Sequence, residues 1–167
     1  MFEKGDYVVC GSNGVCTVED VTTLSMPGVD KDREYYILKP VYTVGSTVYI
    51  PVDADERTVR KVLSREEADR LIREIPGIPL INDSNDKFLE QEYKGCMRTN
   101  QCAEWVRILK TAHLRKLKRQ EMGRKITAVD AKYSRIAEDI LFGELAVSLE
   151  ISREQVGDFL ASRLGQK

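Results

Sequence analysis

The sequence predicts an α+β protein, with a small, strongly curled β module followed by an all-α bundle of about five helices. Three observations predict it. Short β-branched and aromatic runs, separated by turn residues, crowd residues 1–62. From residue 63 the apolar residues instead recur at steps of three and four, with cap signals between the runs. The charge is also segregated. The formal net charge is −1, yet residues 98–125 carry nine Lys/Arg against two acids, while residues 1–97 carry twelve against eighteen. Such segregation points to a basic helix facing a polyanion.

The first strand is Tyr7-Val8-Val9-Cys10, followed by a Gly11-Ser12-Asn13-Gly14 turn. Val15-Cys16-Thr17-Val18 resumes, with Val21 continuing it, as in a hairpin whose turn residues tolerate positive φ. Met26-Pro27-Gly28 and Asp30-Lys31-Asp32 mark another turn. Glu34–Lys39 is a third strand, and Thr47-Val48-Tyr49-Ile50-Pro51, after Gly45-Ser46, a fourth. Four or five strands on short turns suggest a small barrel or curled sheet of the SH3/Tudor type. The turn at 11–14 is no phosphate loop, since it lacks the Lys-Ser/Thr ending and the following helix.

Ser64-Arg65-Glu66-Glu67 is a capping box, opening a helix with Ala68, Leu71, Ile72 and Ile75 on one stripe. Pro76-Gly77 stops it. Residues 82–86 form a polar loop with a cap, and a helix through Phe88, Leu89, Tyr93, Cys96 and Met97 ends near Thr99-Asn100. The basic helix spans Ala103–Lys125, with Cys102, Trp105, Val106, Leu109, Ala112 and Leu117 on its apolar stripe, and Gly123 breaks it. Thr127 to Asp130 caps the next helix, along which run Ala131, Ile136, Ile140, Leu141, Leu145 and Leu149. Ser152 opens a last helix with Val156, Phe159, Leu160 and Leu164. The expected domains are 1–62 and 63–167.

No uncharged run approaches 18 residues, and the N-terminus does not read as a signal peptide, so a cytoplasmic protein is expected. Cysteines 10, 16, 96 and 102 lack C-x-x-C spacing and read as free thiols. No metal site, cofactor or catalytic constellation is evident, so the protein reads as a non-enzyme. The one histidine, His113, has no carboxylate at ligand spacing, and Asp53, Asp55 and Glu56 form an acidic turn.

The order of features resembles the CarD/CdnL family of bacterial transcription regulators. The N-terminal half carries Phe2-x-x-Gly5-Asp6-x-Val8-Val9, Gly14-Val15, Val18-Glu19, Tyr36-x-Leu38-Lys39 and Val48-x-Ile50-Pro51. The C-terminal half carries Tyr93-Lys94, Val106 to Leu114, Ile126-Thr127-Ala128 and Ile140-Leu141-x-Gly143-Glu144-Leu145-Ala146. The resemblance covers about residues 1–150 and implies a regulator with two partners; a monomer is expected. A Tudor-like module, similar to one in the transcription-repair coupling factor, would bind the β-subunit lobe of RNA polymerase through Thr47, Val48, Tyr49 and Ile50. The helical domain would contact promoter DNA, largely independently of sequence, at the upstream edge of the bubble and modulate open-complex stability. Its carriers would be Lys94, Arg98, Arg124, Lys125, Thr127 and Lys132, with Phe88 or Leu89 at the fork. Residues of the long helix such as Arg115 and Lys118 would support the field.

The chain departs from the family at several of these points. Leu89 stands where the family has its wedge tryptophan, and the sole tryptophan, Trp105, sits at a core position of the long helix. Glu90, Gln91 and Glu92 occupy positions where the family tends to be basic, and Tyr49 one where a basic polymerase contact is common. Cys10-Gly11 replaces Tyr-Pro. These differences keep open a second class, a protein-interaction adaptor without direct DNA binding.

Overall fold

The computed structural model describes residues 1–82 and 86–165. They fall into two units, Met1–Val62 and Leu63–Lys167. The first holds strands β1 (Tyr7–Val9), β2 (Val15–Thr23), β3 (Glu34–Pro40), β4 (Val48–Pro51) and β5 (Arg60–Lys61) in one antiparallel sheet of order β4-β3-β2-β1-β5. No β4–β5 ladder closes it, so the unit is a curled half-barrel with two edges rather than a complete barrel. The β2–β3 register slips between Val18 and Asp20, a bulge that bends the strand and deepens the curl. β5, only two residues long, carries no periodic signal in the sequence.

The alternation of side chains explains the core of this unit. Val8, Cys10, Cys16, Val18, Tyr36, Leu38, Ile50 and Val59 pack together, and Phe2 stacks 5.4 Å from the Tyr36 ring. The Tyr36 hydroxyl accepts from the Phe2 N–H at 3.0 Å, which ties down the N-terminus. All four cysteines are free and buried. The hydrogen bond that the Cys10 thiol donates to Cys16, together with burial, pushes the Cys10 thiol up.

The second unit holds α1 (Arg65–Glu74), α2 (Asp86–Arg98), α3 (Cys102–Glu121), α4 (Ala128–Leu149) and α5 (Arg153–Leu164). Both arms of the Ser64/Glu67 capping box form, at 3.1 and 2.9 Å. Most of the expected polar loop at 82–86 lies outside the described residues. The core of α3 is Cys102, Trp105, Val106, Ile108, Thr111 and Ala112. Two stripe assignments change. Leu117 is exposed, because no residue of α3 after Ala112 is buried. Ala131 is exposed as well, and Tyr133 and Ala137 fill the core of α4 instead. Trp105 is fully buried, as its stripe position implied.

Two polar nodes lie inside this unit. Asp130 accepts from Tyr93 Oη at 2.6 Å, Arg115 Nε at 3.0 Å and Thr127 Oγ1 at 2.8 Å, joining α2, α3 and the cap of α4. Glu144, also fully buried, accepts from Cys102 Sγ and from the Leu63 N–H, while Ser148 Oγ donates to the Leu63 carbonyl. A buried carboxylate persists only when donors satisfy it, and both do so here.

Candidate interaction surfaces

In the first unit one surface open to a partner is the β4 edge. β4 pairs with β3 alone, so its outer backbone groups face away from the ladder. The four residues expected there divide by strand period. Ile50 and Val48 point to the core, Ile50 buried and Val48 packed against the cluster. Tyr49 points outward and is 44% exposed. Thr47 accepts from Lys39 Nζ at 2.6 Å. As side chains, therefore, Ile50 holds the fold and Tyr49 is the one presented.

The β3–β4 connection adds apolar surface that the strand reading missed. Val41 and Tyr42 are each 40% exposed, and Val44 is completely exposed. The signal was present as Val41-Tyr42-Thr43-Val44, a β-rich run placed in a turn rather than a strand. Exposed apolar residues that continue from an open edge mark a docking surface.

In the second unit, basic residues divide between structure and surface. Arg107 donates to Glu104 at 3.0 Å and to the Pro79 carbonyl. Lys110 Nζ donates to the Ile75 and Ile78 carbonyls at 2.8 and 2.6 Å. Arg115 belongs to the Asp130 node, and Arg119 Nε donates to the Lys125 carbonyl at 2.6 Å. Much of the basic face of α3 thus serves the fold.

The exposed cations Lys116, Lys118, Arg124 and Lys125 cluster along the chain, at the end of α3 and in the turn to α4. Gly123 makes that turn at φ 71°, where a side chain would be strained. Thr127 caps α4 by accepting from the Asp130 N–H at 3.1 Å. The helix N-terminus there carries the positive end of its dipole. Exposed Met122 sits among these cations.

The fork pair separates cleanly. Leu89 is packed into the core at 2% exposure, whereas Phe88 is 62% exposed, so Phe88 alone presents a ring to solvent. Tyr133 Oη donates to Glu90 at 3.2 Å, and its ring lies 5.5 Å from that of Tyr93. These contacts set α2 beside the start of α4, where Lys132 lies over the Tyr133 ring at 5.3 Å. Burial and the Glu90 carboxylate push the Tyr133 phenol up. Arg98 is exposed but stands ten residues along α2 from Phe88, about 15 Å away at the helical rise. Lys94 is half-buried.

Among the described residues, no group of three or more His, Cys, Asp or Glu side chains could hold a metal ion. No helix among them is long and apolar enough to cross a membrane. His113 is exposed.

The first unit is thus an open-edged, curled half-barrel with an exposed apolar turn, and the second carries exposed cations at the end of α3 and in the turn to α4. Residues 2–63 match the family model of the CarD-like/TRCF RID domain. The first unit is therefore an RID domain, which suggests an RNA-polymerase-interacting, transcription-related role. No curated relative matches the chain.

Proposed function

We propose that the RID unit docks on the β-subunit lobe of RNA polymerase by strand addition at β4, and that the helical unit holds promoter DNA at the upstream edge of the bubble and so tunes open-complex stability. The observation that carries the reading is the open β4 edge, with Tyr49 outward and Val41–Val44 beside it in sequence, in a domain of the RID family. Main-chain pairing would supply affinity, and Tyr49 and the exposed turn specificity. Arg124, Lys125 and Lys132 would bind phosphates, with Phe88 as the apolar contact at the fork. Tethering to polymerase would make weak DNA affinity sufficient.

A pull-down of core RNA polymerase, or of its isolated β lobe, tests the first half. Wild type should be retained, and Tyr49→Glu and Val44→Glu should each lose retention while melting like wild type. Absence of wild-type retention would overturn the polymerase reading. Fork-junction DNA, titrated at two salt concentrations, tests the second half. Binding should weaken steeply as salt rises, since each phosphate contact releases counterions.

An adaptor without DNA binding remains the second reading. It is favoured by buried Leu89 and by the basic residues of α3 that the fold consumes. No binding at low salt would select it.

A further inference from the structure

The helical unit contains a trough that neither the docking edge nor the fork residues use. It lies between α3, α4 and α5, with a volume of about 610 Å³. Val106, Ala112 and Leu141 form buried parts of its lining, and Leu109, Phe142 and Leu160 are half-buried walls. The volume is in the range of small-ligand cavities, which are apolar with a few placed polar groups. An α-helix about 10 Å across would fill it in under two turns, leaving most of a partner helix outside.

The basic and acidic side chains lining the trough are unequal in number. Lys110, His113 and Lys116 come from α3, against a single acid, Glu138, from α4. Lys110 is engaged by carbonyls of the Ile75–Gly77 turn and the residue after it. His113 and Lys116 are exposed and one helical turn apart, so they share a face of α3. An apolar trough with two exposed basic groups on one wall suits a ligand with an apolar chain and an anionic head.

We propose that this trough binds a single-chain anionic amphiphile. The acyl chain lies against Leu109, Phe142 and Leu160, and the carboxylate head is held by Lys116 and His113. The proposal is independent of polymerase docking and of DNA binding.

The test is displacement of a fluorescent acyl carboxylate from the full chain by dodecanoate, below its micelle-forming concentration. Dodecyltrimethylammonium is the headgroup control. Dodecanoate should displace the probe at least tenfold more effectively than the cation, and less effectively as salt rises. Leu160→Trp, which fills the trough, and Lys116→Glu, on the surface, should each weaken it about tenfold. Arg135→Glu, exposed on α4 and outside the trough, should leave it unchanged. If Leu160→Trp lowers the melting temperature, the Lys116→Glu result and the headgroup comparison decide. No displacement by dodecanoate, equal displacement by the cation, or binding unaffected by both trough variants would each overturn the proposal.

Discussion

Asp130 shows what a single residue holds in this protein. Its carboxylate gathers donors from Tyr93, Arg115 and Thr127, and it has no exposed surface. Replacing it with alanine leaves Arg115 without its carboxylate in a partly buried site. Removing one partner of such a pair costs about 3–5 kcal/mol. Asp130→Ala should therefore lose about 3 kcal/mol or more in urea unfolding, with helical structure reduced if the margin is exhausted. Cys96 acts more locally. Burial and its hydrogen bond to Glu104 push its thiol up to about 12. A raised acid pKa means the unfolded chain deprotonates first. The stabilisation is present below the ordinary thiol pKa of 9.0 and is lost as pH rises from there towards 12. Stability measured between those limits should fall more steeply for wild type than for Cys96→Ala.

At the scale of elements, caps and edges matter most. Ser64 closes α1 through both arms of its box, so Ser64→Ala should cost about 1 kcal/mol by thermal unfolding. Glu150 ends α4 in the left-handed region at φ 58°, a conformation that costs a side chain about 1 kcal/mol. Its contact with Arg65 is long and exposed and offers little in return. Glu150→Gly should raise stability by up to about 1 kcal/mol. The strand and helix types were legible because period-two and period-three-to-four patterns seldom coexist in one stretch. The apolar stripe of α3 was legible only to Ala112. Beyond that point the pattern continued through Leu117, but no neighbour buries it.

For the molecule as a whole, the division of its cations is decisive. Composition shows a basic stretch, but only packing shows that Arg107, Lys110, Arg115 and Arg119 are committed to carbonyls and carboxylates. If the helical unit grips DNA as proposed, the double variant Arg124→Gln/Lys125→Gln should lower the slope of log affinity against log salt by about 2. The same variant should melt like wild type, because both side chains are exposed. An Arg115→Gln variant should do the reverse, losing stability.

The sequence by itself determined the order of the elements, the Tudor-like class of the first unit, the Ser64 capping box, the Thr127 cap and the burial of Trp105. Each of these depends on neighbours within a few residues or on a repeated period, which a linear chain records. Only the tertiary structure decided that Leu89 is core while Phe88 is exposed, and that Ile50 faces inward while Tyr49 faces out. The tertiary structure likewise revealed that Val44 stands free in a turn and that the basic helix is half consumed by its own fold. Those outcomes depend on which element packs against which face, and residues adjacent in sequence take opposite sides of it.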